Sequence, residues 1–144
     1  MSHDEALGRA IEQSHAALAA IIVGDVGGYA RLYSERDDIT IGNPFGPFAR
    51  GRHSVIATGE AAAARYRDGE ILGFELVTSH VGDDLACVVE VERFQAKVGD
   101  ADTLAPVALR ATSVFRWEED AWRLVHRHAD PITTPRAAES VLQQ

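Results

Sequence analysis

Residues 107–130 read VALRATSVFRWEEDAWRLVHRHAD, two extended runs rich in β-branched and aromatic residues around the acidic connection Glu118-Glu119-Asp120. With Glu119 and Asp120 as the turn, Trp117 faces Trp122 in a hairpin. Antiparallel pairing then sets Phe115 opposite Leu124, Ser113 opposite His126 and Ala111 opposite His128. Side chains alternate across a strand, so these pairs share one face. That face is aromatic near the turn and polar further along, at Ser113, His126, His128 and Asp130. The opposite face carries Arg110, Thr112, Arg116, Arg123 and Arg127, with Val114 and Val125 between them. A two-residue shift keeps this sorting, whereas a one-residue slip scrambles it. The hairpin therefore reads as a core face opening into a polar pocket and backed by arginines.

Upstream, Leu85 to Val98 predicts a long strand, and Phe74 to Val81 another before the turn Gly82-Asp83-Asp84. Alternation along the first makes Leu85, Cys87, Val89 and Val91 the cleaner apolar set, which would turn Glu90 and Glu92 outward. A helix is expected from Ser2 to Gly24, because Leu7, Ala10, Ile11, Leu18, Ile21 and Ile22 recur at three- and four-residue spacings. Ser2 or Asp4 can cap its start. A second, short helix is predicted from Asp25 to about Ser34, weakened by Gly27 and Gly28. Asp37 to Ile41 reads as a short strand, and residues 42–47 (GNPFGP) as a turn-rich loop holding Asn43 and Phe45. A third helix is expected over about 52–67, ended by Asp68-Gly69. Three helices with one short strand among them, followed by four long strands, predict an α+β fold. Its curved antiparallel or mixed sheet would carry the helices on one face.

The 144 residues are the size of one domain, with 46% hydrophobic and 25% charged residues as in ordinary globular chains. The balance of 14 basic against 22 acidic residues, a net charge of −8, disfavours nucleic acid as a partner. One cysteine, Cys87, rules out an internal disulfide and a cysteine-based zinc cluster. No apolar run is long enough to cross a bilayer, so no membrane partner is expected. The N-terminal MSHDEALGRA lacks a basic start followed by an apolar stretch, so a cytoplasmic protein is expected.

The phrases ITIGNPFG (39–46), GRHSV (51–55), VGDDLACVVEVERF (81–94) and TSVFRWEEDAWRLVHRHADP (112–131) together resemble the SnoaL-like branch of the nuclear transport factor 2-like superfamily. Within it the chain is similar to the association domain of calcium/calmodulin-dependent protein kinase II. The last phrase, a tryptophan four residues before one histidine and six before another, is the most specific. The resemblance covers roughly residues 5–132 of a single domain. It implies a cone-shaped fold, a bent sheet wrapped around the long N-terminal helix, with a cavity at the open end. It also implies a homodimer formed through the outer sheet face. Members include isomerases, cyclases, dehydratases and hydrolases as well as non-catalytic assembly domains. In the association-domain likeness, cavity arginines bind carboxylates, and the matched positions here are Glu92, Ser113 and Ala129. The match places Glu92 at the cavity.

Histidines titrate near neutral pH, so His126 or His128 is the expected acid–base group of a cavity, with Asp130 orienting it. Both histidines also fit a structural role within the sheet or the dimer interface. Asn43 and Ser113 are candidate hydrogen-bonding ligand contacts, Tyr29 and Phe45 apolar walls, and Arg52 and His53 further contacts before the third helix. A zinc site would need a third ligand such as His53 or Glu92, and nothing in the spacing calls for a metal or a cofactor. The sequence thus suggests a binder of a small organic molecule with cofactor-independent proton transfer. The alternative is a non-catalytic dimerisation module whose cavity is vestigial. If His128 carried the chemistry, its replacement by alanine would abolish turnover or ligand-induced stabilisation.

Overall fold

The first helix, α1 (His3–Ile21), starts where the Ser2 side chain accepts the Glu5 backbone N–H at 3.1 Å, and it buries Ala6, Leu7, Ala10, Ala17 and Ile21 along one stripe. The chain is described by a computed structural model covering residues 2–143. The second helix, α2 (Tyr29–Leu32), is a single turn, shorter than expected. Asp25 accepts the Gly27 N–H at 2.8 Å, so the side chain closes a local turn in place of the first helical hydrogen bonds. The third helix, α3 (Arg52–Ala63), stops four residues before the expected end.

Six strands form one sheet: β1 (Thr40–Gly42), β2 (Ala49–Arg50), β3 (Tyr66–Val81), β4 (Leu85–Val98), β5 (Ala105–Glu118) and β6 (Ala121–Asp130), in the order β2-β1-β6-β5-β4-β3. All neighbours are antiparallel except β1 and β6, so the sheet is mixed and the fold α+β. Strand β3 begins at Tyr66 rather than Phe74. The Asp68-Gly69 pair, which reads as a stop, is absorbed as an irregularity in the β3–β4 ladder, with Asp68 at φ 55°.

The hairpin turn lies where the sequence puts it, with Glu119 and Asp120 at φ 50° and 65° and Trp117 paired to Trp122. Phe115 pairs with Leu124 as expected, but beyond that point the register changes. Val114 pairs with His126, Ser113 with Arg127 and Ala111 with Ala129. Val125 is an extra residue, a β-bulge. It reverses the facing of everything after it, so Arg127 and Ala129 turn to the inner face, and His126, His128 and Asp130 to the outer. The expected sorting of the hairpin is corrected accordingly. The bulge sits where β6 changes neighbours. Leu124 bridges Tyr33 and accepts the Ser34 N–H at 2.9 Å, whereas from His126 onward β6 runs beside β1.

On β4 the outward set is also the reverse of what alternation suggests, with Glu92 inward as the family match places it. Ala86, Val88, Glu90, Glu92, Phe94 and Ala96 are buried on the inner face, and Cys87, Val89 and Val91 are half-buried on the outer. Glu90 meets His15 of α1, whose Nε2 lies 3.0 Å from both carboxylate oxygens and whose ring stacks on Phe74 at 3.5 Å. At the narrow end Trp122 Nε1 donates to the His3 carbonyl at 2.9 Å, and Trp117 and Trp122 pack edge to face at 5.1 Å.

Candidate functional site

At the other end the helices stand off from the sheet and leave a cavity bounded by all three helices, the 42–47 loop and the inner faces of β3, β5 and β6. It measures about 70 Å³, taken as the space open to the centre of a water molecule. At about 10–15 Å³ of such space and about 30 Å³ of liquid volume per water, that is room for about five waters or one ring-sized organic molecule.

Each polar group in this space is placed by an identifiable feature. The Val125 bulge turns Arg127 inward, where its Nη1 and Nη2 donate to Glu92 Oε2 and Oε1 at 2.8 and 2.6 Å. Burial opposes the charge on Arg127, but the adjoining Glu92 carboxylate overrides it and holds the guanidinium above its ordinary pKa. The α2 turn brings Tyr29 and Tyr33 together, the Tyr29 hydroxyl lying 3.3 Å from that of Tyr33 and 3.4 Å from the Val55 carbonyl. Desolvation raises the pKa of both phenols. Tyr66, at the start of β3, is pushed up to about 12 by the same cause, so all three are neutral donors at physiological pH.

Asn43, which lines the cavity, uses its side-chain oxygen to accept the Phe45 N–H at 3.0 Å, which holds the loop and leaves its amide N–H groups unengaged by it. Among the described residues no protein group pairs with that amide, with the Tyr66 hydroxyl or with Ser113 Oγ, yet no fully buried side-chain polar atom lacks a partner. These three groups are therefore accessible, and all three residues line the cavity. Phe45 packs on Tyr66 at 5.6 Å, and Arg65 lies over its ring at 4.9 Å. No histidine, cysteine or aspartate lines the cavity among the described residues.

Of the residues singled out from the sequence, Tyr29, Asn43, Phe45 and Ser113 line the cavity, and Glu92 is buried beside it on Arg127. Arg52 does not reach it. Its guanidinium caps the α2 turn, donating to the carbonyls of Ser34 at 2.8 Å and Ala30 at 3.2 Å. His53 is exposed at the start of α3. His126, His128 and Asp130 lie on the outer face because of the bulge. His126 Nδ1 is 2.7 Å from Thr40 Oγ1, and the exposed Phe48 ring sits 6.1 Å from His126 and 5.9 Å from His128. Asp130 is held by both nitrogens of an Arg110 fork at 2.8 Å, which keeps its carboxyl below the usual range. Arg127 and Tyr66 are the cavity residues the sequence reading missed. The adjacent apolar pair Leu124-Val125 in an otherwise alternating strand was the available signal for the bulge.

Burial, reinforced by His128, lowers the pKa of His126 below 6.5, while its contact with Thr40 acts in the opposite direction. The unfolded chain then takes up a proton at a pH where the folded one does not. Stability is therefore full above about pH 6.5 and falls as pH drops toward the folded value. Wild-type protein is expected to lose more melting temperature between pH 7.5 and 5.5 than His126→Gln does, as read by circular dichroism.

Among the described residues no three histidine, cysteine, aspartate or glutamate side chains cluster to hold a metal, and no helix is long and apolar enough to cross a membrane. A search of the curated proteins finds no match. Solved structures share the fold. A protein of the nuclear transport factor 2-like family from Streptomyces avermitilis, provisionally named a dehydratase, aligns with TM-score 0.71 and 24% identity over 90% of this chain and 96% of its own. A chain from Thiobacillus denitrificans, provisionally named a calcium/calmodulin-dependent protein kinase type II association domain, gives 0.63 and 24% over 86% and 93%. A nuclear transport factor 2-like superfamily protein from Salmonella enterica gives 0.76 and 17% over 96% and 99%. The model of the SnoaL-like domain matches residues 11–133. With that match across the helices, the sheet and the cavity between them, the chain belongs to the SnoaL-like domain family.

Proposed function

We propose that this chain binds a small organic molecule in the cavity between its helices and sheet. The observation that carries this reading is a mainly apolar cavity whose lining includes three groups with no protein partner: the Tyr66 hydroxyl, the Asn43 amide and Ser113 Oγ. Concave apolar sites with a few convergent polar groups are the common form of small-molecule sites. Tyr29, Phe45 and Leu109 supply walls, and Tyr66, Asn43 and Ser113 orient the ligand. The chemistry such a site offers is polarisation of a carbonyl by neutral donors, without a cofactor. Isomerisation, cyclisation, dehydration or hydrolysis here would use Tyr66 and Tyr29, the latter backed by Tyr33. The test is a thermal-shift survey of single-ring carbonyl compounds. A compound at a hundred times its Kd is expected to stabilise the protein by about 2.7 kcal/mol. That stabilisation should persist in His128→Ala and weaken in Tyr66→Phe. Its loss in His128→Ala would contradict this placement of the site.

The outer sheet face supports a second property, self-association as a homodimer. Phe48 is 64% exposed and stands beside His126 and His128, on the same face as the half-buried Val89, Val91 and Val114. The histidines and Asp130 are then interface residues. Phe48→Asp is expected to convert a dimer to a monomer at micromolar concentration, read by light scattering, with ligand-induced stabilisation unchanged.

A further inference from the structure

We infer that Glu92 sets the specificity of the cavity, occupying Arg127 so that the site takes an uncharged single-ring molecule bearing a carbonyl or hydroxyl oxygen and rejects carboxylates. This rests on the reading of the cavity as a ligand site. An inward arginine among apolar walls is by itself a receptor for a carboxylate, because its planar fork matches two oxygens. Here both terminal nitrogens of that fork are already bonded to Glu92, and the Glu92 side chain is 3% exposed and the Arg127 side chain 18%. The pair brings no net charge to the cavity. A ligand carboxylate would have to shed its water, meet no free cation, and approach the Glu92 carboxylate, all unfavourable in a site of low dielectric.

Other cations do not change this. Arg65 lies over Phe45 and does not line the cavity, and Arg52 is committed to backbone carbonyls. The groups left open are neutral: a phenol, a primary amide and a hydroxyl, each of which can donate to a ligand oxygen. The ring-sized space limits that oxygen to a compact carrier.

Benzamide and benzoate are nearly the same shape and differ in charge, so they separate these alternatives. Wild-type protein is expected to bind benzamide at least tenfold more tightly than benzoate by isothermal titration calorimetry at pH 7.5. Glu92→Gln keeps the shape of the side chain, frees Arg127, and is expected to reverse the order by at least tenfold. Equal or tighter binding of benzoate by the wild type overturns the inference while leaving the cavity a ligand site. So does a Glu92→Gln protein that still prefers benzamide, or one that gains benzoate while the wild type binds neither. No binding of either probe by either protein overturns the reading of the cavity itself. If Glu92→Gln does not fold, the double variant Glu92→Leu/Arg127→Leu removes both charges. It should continue to exclude benzoate, and benzoate binding to it would overturn the inference.

Discussion

Glu92→Ala is expected to destabilise the protein by about 3–5 kcal/mol, because it leaves Arg127 as an uncompensated charge among apolar walls. The pair is short, with N–O distances of 2.6 and 2.8 Å, and Glu92 has almost no access to water. A loss of that size is a large part of the roughly 5–15 kcal/mol that holds an average domain together. Chemical denaturation should show the transition midpoint shifted strongly down. A loss below about 1 kcal/mol would mean that the two side chains do not meet in solution, as for exposed ion pairs.

Gly59→Ala should also be costly, against the ordinary rule for a helix. In an unhindered helix interior, alanine is about 1 kcal/mol better than glycine. A Cβ at position 59 would stand 2.1 Å from Tyr29 Cε1 and 2.5 Å from its Cζ. The Tyr29 ring cannot retreat easily, since it is 5% exposed and packed against Tyr33 at 5.2 Å. Overpacking of this kind costs about 1–3 kcal/mol. The variant is therefore expected to be less stable than wild type, and to lose ligand-induced stabilisation, because the displaced ring lines the cavity. A more stable Gly59→Ala protein that still binds would show that α3 lies further from α2 than the structure has it.

The parts of this fold that could be read from sequence are those governed by local periodicity and turn chemistry. The α1 stripe, the Ser2 cap, the span of β4 and the Glu119-Asp120 turn with its paired tryptophans all follow from neighbouring residues. The short α2 and the early start of β3 were less legible. In the first, Asp25 captures the Gly27 N–H, and in the second an Asp-Gly pair is held inside a ladder by the strand beside it. The site depended on one residue. Val125 bulges because β6 changes partner from the Tyr33–Ser34 segment to β1, which are far from it in sequence. Strict alternation across that point put the histidines inside and Arg127 outside. Alternation alone turned the two glutamates of β4 outward for a related reason, whereas the family match put Glu92 inward, where it lies: an inward acid is tolerable only beside its cation. Glu90 has His15 and Glu92 has Arg127, and neither partner is visible from the strand itself.

The most direct test of the inverted facing after Val125 is a double-mutant cycle on Glu92 and Arg127, using Gln and Met and measuring unfolding free energies in urea. Contact in a buried pair predicts a coupling of about 1.5–3 kcal/mol, the double variant being far less damaged than the sum of the singles. Additivity within about 0.5 kcal/mol would place Arg127 on the outer face with the histidines inward, and would contradict the account.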